Sequence, residues 1–149
     1  MTIPLTLGPG LLYFTFEDPD NAGTYLDPCG LEEWTANFQS EITNDTVYDC
    51  DPTASALAVI LRHKLSTSCS VQATGKLAST SLGLYRSLHA QKASAAARLI
   101  VGTTGANGGG HWAGNWLLEN FEIKGNRTNV ATVSLTIGND GAFPWTDAA

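Results

Sequence analysis

Positive charge is what this sequence has least of. Lysine and arginine together number 8 in 149 residues, against 14 aspartates and glutamates, for a formal net charge of −6. The nearest approach to a basic run is Arg62-His63-Lys64. Tight binding to duplex DNA needs clustered lysine and arginine to neutralise phosphates, so that class is excluded. Charge of either sign is sparse, at 15% of the chain, where a soluble domain carries roughly 25%. Serine, threonine, asparagine, glutamine and glycine fill the gap. Such a surface suits contact with copies of itself, because charge is depleted at interface centres. An ordinary β domain with hydroxyl-rich strands has the same composition.

Cysteine is scarce as well. Cys29, Cys50 and Cys69 are odd in number and widely spaced, with no C-x-x-C and no zinc pattern. Three reduced thiols is the simplest reading; one disulfide with a thiol left over is the other. Long apolar runs are missing, so no membrane span is expected, since one needs roughly 20 residues. The opening stretch MTIPLTLGPGLLYFTFEDPD has no basic segment before its apolar run and holds Gly and Pro inside it. No signal peptide is expected, and folding in the cytosol is.

Catalytic patterns are missing too. His63, His89 and His111 are far apart and form no H-E-x-x-H, and no serine sits in G-x-S-x-G. His89 reads as a half-buried packing residue and His111, beside Trp112, as a loop contact. Asp18, Asp20 and Asn21 begin the alternation of a calcium loop, but Ala22 and the lack of a closing Glu break it. The stretch from Gly102 to Gly114 contains six glycines after a predicted strand. It lacks the Gly-Lys-Ser/Thr of a phosphate loop, and no helix begins there, so a surface loop is expected. No catalytic, cofactor-binding or metal-binding residue is assigned, and the chain is read as not an enzyme.

What is present is β pattern. Residues 1–10 are a lead-in with Pro4, Gly8, Pro9 and Gly10, and Leu11–Glu17 reads as the first strand. Residues 17–30 are rich in turn formers. From Glu33 to Tyr48, Trp34, Ala36, Phe38, Ser40 and Ile42 share one face. Asn44-Asp45-Thr46 reads as a turn there. Ala54–Lys64 has helix-favouring composition, yet Leu57, Val59, Leu61, His63 and Leu65 alternate; the strand is favoured because Thr67–Lys76 extends it. One α-helix is predicted at about residues 80–93. Ser79, Thr80 and Ser81 offer its N-cap, Leu82, Tyr85, Leu88 and His89 form its stripe, and Lys92 lies toward its C-terminal end. Ala95–Thr103 returns to β. Residues 1–149 read as a single domain.

The last stretch, from Asn115 to Trp145, is the most patterned. Leu117, Glu119, Phe121 and Ile123 alternate with Leu118, Asn120, Glu122 and Lys124. Ala131, Val133, Leu135 and Ile137 likewise alternate with Val130, Thr132, Ser134 and Thr136. Lys124–Asn129 lies between them as a turn, and Asn139-Asp140-Gly141 makes a second, before a return strand with Phe143 and Trp145. The order of an aromatic-led strand, a Gly-Asn turn, VATVSLTI and then NDGAFPWT resembles the end of major tail tube proteins of long-tailed bacteriophages.

That resemblance implies a mainly β chain, an antiparallel β-sandwich or barrel with one flanking α-helix. It implies a structural subunit assembling into stacked hexameric rings that form the channel for DNA ejection. The implied partners are other copies of the chain, head to tail, the tape-measure and tail-terminator proteins, and genomic DNA passing without sequence-specific binding. The implied place is the virion, as part of the phage tail, after assembly in the bacterial host cytoplasm. Loops 17–30, 44–56 and 103–114 are the expected ring-to-ring contacts, and the polar strand faces the expected channel lining. Two other readings stand. One is a baseplate or connector subunit of the virion. The other is a non-catalytic carbohydrate- or ligand-binding β-sandwich module, with Trp34, Trp112, Trp116 and Trp145 stacking on sugars.

Overall fold

The structure is a computed structural model that describes residues 6–51, 53 and 55–149. The first half of the lead-in, with Pro4, lies outside the described residues, as do Pro52 and Ala54. In chain order the elements are β1 (Leu12–Glu17), β2 (Tyr25–Leu26), β3 (Leu31–Val47), β4 (Val59–Lys76), α1 (Ser79–Ala90), β5 (Ala95–Val101), β6 (Gly110–Lys124), β7 (Thr132–Asp140) and β8 (Trp145–Asp147). All strands join one antiparallel sheet in the order β2-β1-β5-β6-β7-β4-β3, and β8 pairs with β6 beyond the end of β7. The expected mainly β chain with one helix is therefore what forms. The sheet does not close: β2 and β3 are its margins.

The sheet curls around one apolar interior. Phe14, Phe16, Val71, Leu99, Trp116 and Ile137 are buried together, and Val133, Leu135 and Tyr85 continue the core. Phe14 of β1 reaches Trp34 of β3, so the two ends of the strand order close on the same core. Helix α1 lies against this inner face through Leu84, Tyr85 and Leu88. Burial pushes the Tyr85 phenol up to about 12.

Helix α1 differs from its expected form in three ways. It spans Ser79–Ala90, and its N-cap is Ala78 with no side-chain capping bond. The Ser81 hydroxyl instead accepts the Cys29 amide at 3.0 Å and donates to the Cys29 carbonyl, fixing the loop that leads into β3. The packed stripe is Ser81, Leu84, Tyr85 and Leu88, whereas His89 is exposed. The reason is phase: inclusion of Ser81 turns the buried side of the helix away from His89.

Ala54–Lys64 resolves as the favoured strand from Val59 onward. Asn44-Asp45-Thr46 is not a turn: it pairs with Arg62, Leu61 and Ile60 inside a hairpin that runs on to Val47↔Val59. Cross-strand bonds hold these turn-favouring residues extended, because the opposing β-branched and leucine side chains favour pleated backbone. A bulge lies where Glu41 faces Ser66 and Ile42 faces Lys64, leaving Leu65 as the extra residue.

The C-terminal hairpin forms with Val133, Leu135 and Ile137 facing inward, as the alternation requires, while Ala131 lies just before β7. Its first strand departs from strict alternation. Leu118 pairs with Ile137 and Asn120 with Thr136, so Glu119 is an extra residue. The bulge reverses the phase: Leu118 and Phe121 both face the core, and Leu117 faces out. Glu119 then lies over Gly138, where any side chain would meet its carboxylate.

Candidate assembly surfaces

Three features of the exposed surface stand out. The first is the margin of β3. Its seventeen residues pair with β4 on one side and, among the described residues, with nothing on the other. Alternate amides and carbonyls along this edge are open to a further strand. From Val59 to Cys69, β4 also has no strand on its far side among the described residues, because β7 pairs only with Ser70–Lys76.

The second is the distal part of the β3–β4 hairpin, which stands clear of the core as an arm. Ile42, Val47, Val59, Ile60, Leu61 and Leu65 are exposed along it. Tyr48 and Leu57, past the last pair, are 76% and 92% exposed. Single exposed apolar residues are ordinary, but a contiguous group on one element marks an interaction surface. His63 sits 3.4 Å from Asp45 on this arm, with both side chains in solvent.

The third is the outer face of β3, β4, β7 and β6. Successive rows across the strands read Glu33–Thr74–Ser134–Glu122 and Thr35–Gln72–Thr136–Asn120, and the β3–β4 pairs Asn37/Ser70, Gln39/Ser68 and Glu41/Ser66 continue it. Apart from Gly138 and the outward Leu117 in the Asn37–Ser70 row, this face is hydroxyl, amide and carboxylate, with Lys76 and Lys124 confined to the row at one end, either side of Thr132. It arises because the inward positions of these same strands take the apolar residues.

The residues singled out in sequence for other chemistry have structural roles. Asp18 accepts the Asp20 amide at 2.9 Å and the Asn21 side-chain amide at 3.0 Å, which holds its carboxyl below the usual range and shapes the turn. His63, His89 and His111 fall on β4, α1 and β6. Burial, with Arg98 nearby, pushes the His111 pKa down. The glycine-rich stretch is only partly a loop: β6 starts at Gly110, and Gly109 and Gly110 are buried. A side chain at Gly105, Gly110 or Gly114 would strike the backbone of the C-terminal segment at Ala148, Thr146 or Ala142, so these glycines allow that segment to lie against the sheet. All three cysteines are free thiols, Cys29 and Cys50 exposed and Cys69 buried.

The tryptophans form no open platform. Phe14 contacts Trp34 and Trp116, Phe38 contacts Trp112, and Trp112 meets Trp145 edge-on at 4.5 Å. Trp145 is the most open of the four at 37%, and its ring N–H donates to Asp147. Sequence reasoning missed the guanidinium of Arg98 over the Tyr25 ring at 4.0 Å, which ties β5 to β2. Only an Arg on the outward phase of β5 signalled it.

Comparison with known proteins agrees with this geometry. No curated protein matches the chain. Among solved structures, a tail of an empty gene transfer agent particle, refined helically with C6 symmetry, superposes with a TM-score of 0.70 at 16% identity, covering 91% of this chain and 95% of that one. A native gene transfer agent virion contains a chain with a TM-score of 0.70 at 16% identity, covering 95% and 99%. The SPP1 tail tube gives 0.63 at 10% identity, covering 93% and 78%. At these identities the likeness is one of fold. The family model described as phage tail tube protein matches residues 8–144, nearly the whole length, and this chain belongs to that family.

Proposed function

We propose that the chain is a non-enzymatic structural subunit that assembles into hexameric rings stacked head to tail, forming a channel through which DNA leaves the virion. The observation that carries this reading is the open margin of β3. A neighbouring copy that adds a strand there satisfies its amides, and a closed ring removes the margins altogether. The exposed apolar arm gives the same association a hydrophobic component. The C6 symmetry of the gene transfer agent tail supports six as the number of copies.

The outer polar face supplies the channel lining. Its glutamates repel phosphate, and its serine, threonine, asparagine and glutamine side chains offer no fixed positive charge for DNA to bind, so a polyanion moves past without sequence-specific contact. Residues 1–149 act as one domain in this assembly. The tape-measure and tail-terminator proteins are the partners at its interior and end, and assembly takes place in the host cytoplasm. The packing of the tryptophans on other aromatic rings of the chain argues against the glycan reading.

The test is light scattering after size exclusion over a range of concentrations, with negative-stain microscopy of the same fractions. Six-membered rings or tubes with a central channel are expected. A chain that stays single at every concentration overturns the reading.

A further inference from the structure

We infer that Asn107 is a site of spontaneous deamidation, and that the carboxylate formed there loosens the C-terminal segment. Asn107 ends a short 3-10 turn, Gly105–Asn107, and is followed by Gly108 and Gly109. Asn107 and Gly108 are both exposed.

The reaction needs only the chain and water. The backbone nitrogen of Gly108 attacks the side-chain carbonyl carbon of Asn107. The amide nitrogen leaves as ammonia, taking the proton of the attacking nitrogen. The five-membered succinimide then adds one water at either of its carbonyls. Opening at one gives aspartate. Opening at the other gives isoaspartate, in which the main chain runs through the former side chain and is one carbon longer. A side chain on the following residue would crowd the attack. Gly108 has none: its φ is 84°, and the space where a Cβ would stand is empty. Its amide donates to the Gly105 carbonyl at 3.1 Å. A single 3-10 bond at the surface opens far more often than a strand ladder does.

The other asparagines are held away from this chemistry. Asn37, Asn44, Asn115, Asn120 and Asn139 lie within β3, β6 and β7, where cross-strand pairing fixes the backbone. The side-chain nitrogen of Asn21 donates to Asp18 at 3.0 Å, and Ala22 follows it. The side-chain oxygen of Asn126 accepts the amides of Thr128 and Asn129, and Arg127 follows it. Asn129 precedes the β-branched Val130. Asn107 alone combines an exposed turn with a glycine behind it.

The position of the turn gives the change a consequence. Residues 102–109 carry no charged side chain. Thr104 accepts the amides of Asn107 and Gly109, and the Gly109 carbonyl accepts the Ala148 amide at 3.0 Å. Gly105 lies so close to Ala148 that a Cβ on it would strike the Ala148 carbonyl, and Gly110 pairs with Asp147. The turn is thus the support on which the end of β8 rests. A carboxylate at position 107 adds negative charge on the side of the sheet where Asp147 already lies, and like charges repel. The longer main chain of isoaspartate also shifts Gly105 relative to Gly109, between which Ala148 is held.

The test is peptide mapping by mass spectrometry of the full chain kept warm in mildly alkaline buffer. Asn107 is expected to convert first, to a mixture of aspartate and isoaspartate, roughly tenfold faster than any other asparagine, as a surface turn opens more readily than a ladder. Asn107→Gln, whose longer side chain would have to close a six-membered ring, is expected to stay unconverted with an unchanged melting temperature. Conversion of another asparagine first, or none at position 107, overturns the site. Amide hydrogen exchange reads the consequence. In Asn107→Asp the Ala148 amide is expected to exchange severalfold faster than in wild type, and exchange at the wild-type rate overturns the loosening of β8. Both readouts use the single chain, so their failure leaves the assembly reading standing.

Discussion

The ring of Phe14 lies 6.2 Å from that of Trp34 with their planes 26° apart, although β1 and β3 stand toward opposite ends of the strand order. This stack draws the margins of an open sheet over one core. Trp34→Ala is expected to cost about 3 kcal/mol, and Trp34→Phe, which keeps a stacking ring, about 1 kcal/mol. Urea denaturation followed by circular dichroism measures both. Equal losses would show that the stack does not hold the curl.

Asn139 ties β7 to the point where β4 leaves the sheet. Its side-chain oxygen accepts the Cys69 amide at 2.9 Å, and its side-chain nitrogen donates to the Gly141 carbonyl at 2.9 Å. Asn139→Ala strips a part-buried amide of its acceptor, for an expected loss of about 1–3 kcal/mol. Asn139→Asp keeps the acceptor and is expected to lose less. Thermal melts of the two variants decide the order.

The three thiols are expected to react unequally. Cys29 and Cys50 are exposed, whereas Cys69 is buried and its thiol is pushed up to about 11. Since the thiolate is the reactive form, an aromatic disulfide reagent should titrate two thiols rapidly in the native protein and the third only on unfolding. Three equally fast thiols would contradict the burial of Cys69.

His111 gives the fold an acid-sensitive element. Burial and the charge of Arg98 lower its pKa in the folded chain. The unfolded chain then binds the proton more readily, near the ordinary histidine value of about 6.5. Its contribution is complete above that pH and is lost as the pH falls through the lowered folded value. Melting temperatures from pH 8 down to pH 5 should decline less steeply for His111→Asn than for wild type; parallel profiles would assign the acid sensitivity elsewhere.

Much of the fold was legible in sequence wherever one periodicity ran unbroken. Trp34-Ala36 and Val133-Leu135-Ile137 each kept step with the pleat and face the core, and Phe38, next in phase after Ala36, packs on Trp112 and Phe143 while half exposed. Legibility failed where a single residue shifted the phase. Glu119 adds a residue that no alternation shows, and it exchanges the roles of Leu117 and Leu118. Asn44-Asp45-Thr46 has turn chemistry locally, and only its pairing with residues 60–62 keeps it extended. Ser81 reads as a helix cap, but its hydroxyl meets Cys29, a partner 52 positions away that local pattern cannot supply. The assembly surfaces were legible as scarcity of charge and as polar strand phases. The open β3 margin and the arm were not, because which strand ends a sheet is a property of topology.

Amide hydrogen exchange on assembled and dissociated protein tests the central claim, that sister copies complete the margin of β3. The account predicts that alternate amides between Leu31 and Val47, open in the single chain, become strongly protected in the assembly, together with the arm. Assembled particles in which those amides exchange as fast as in the single chain would contradict it.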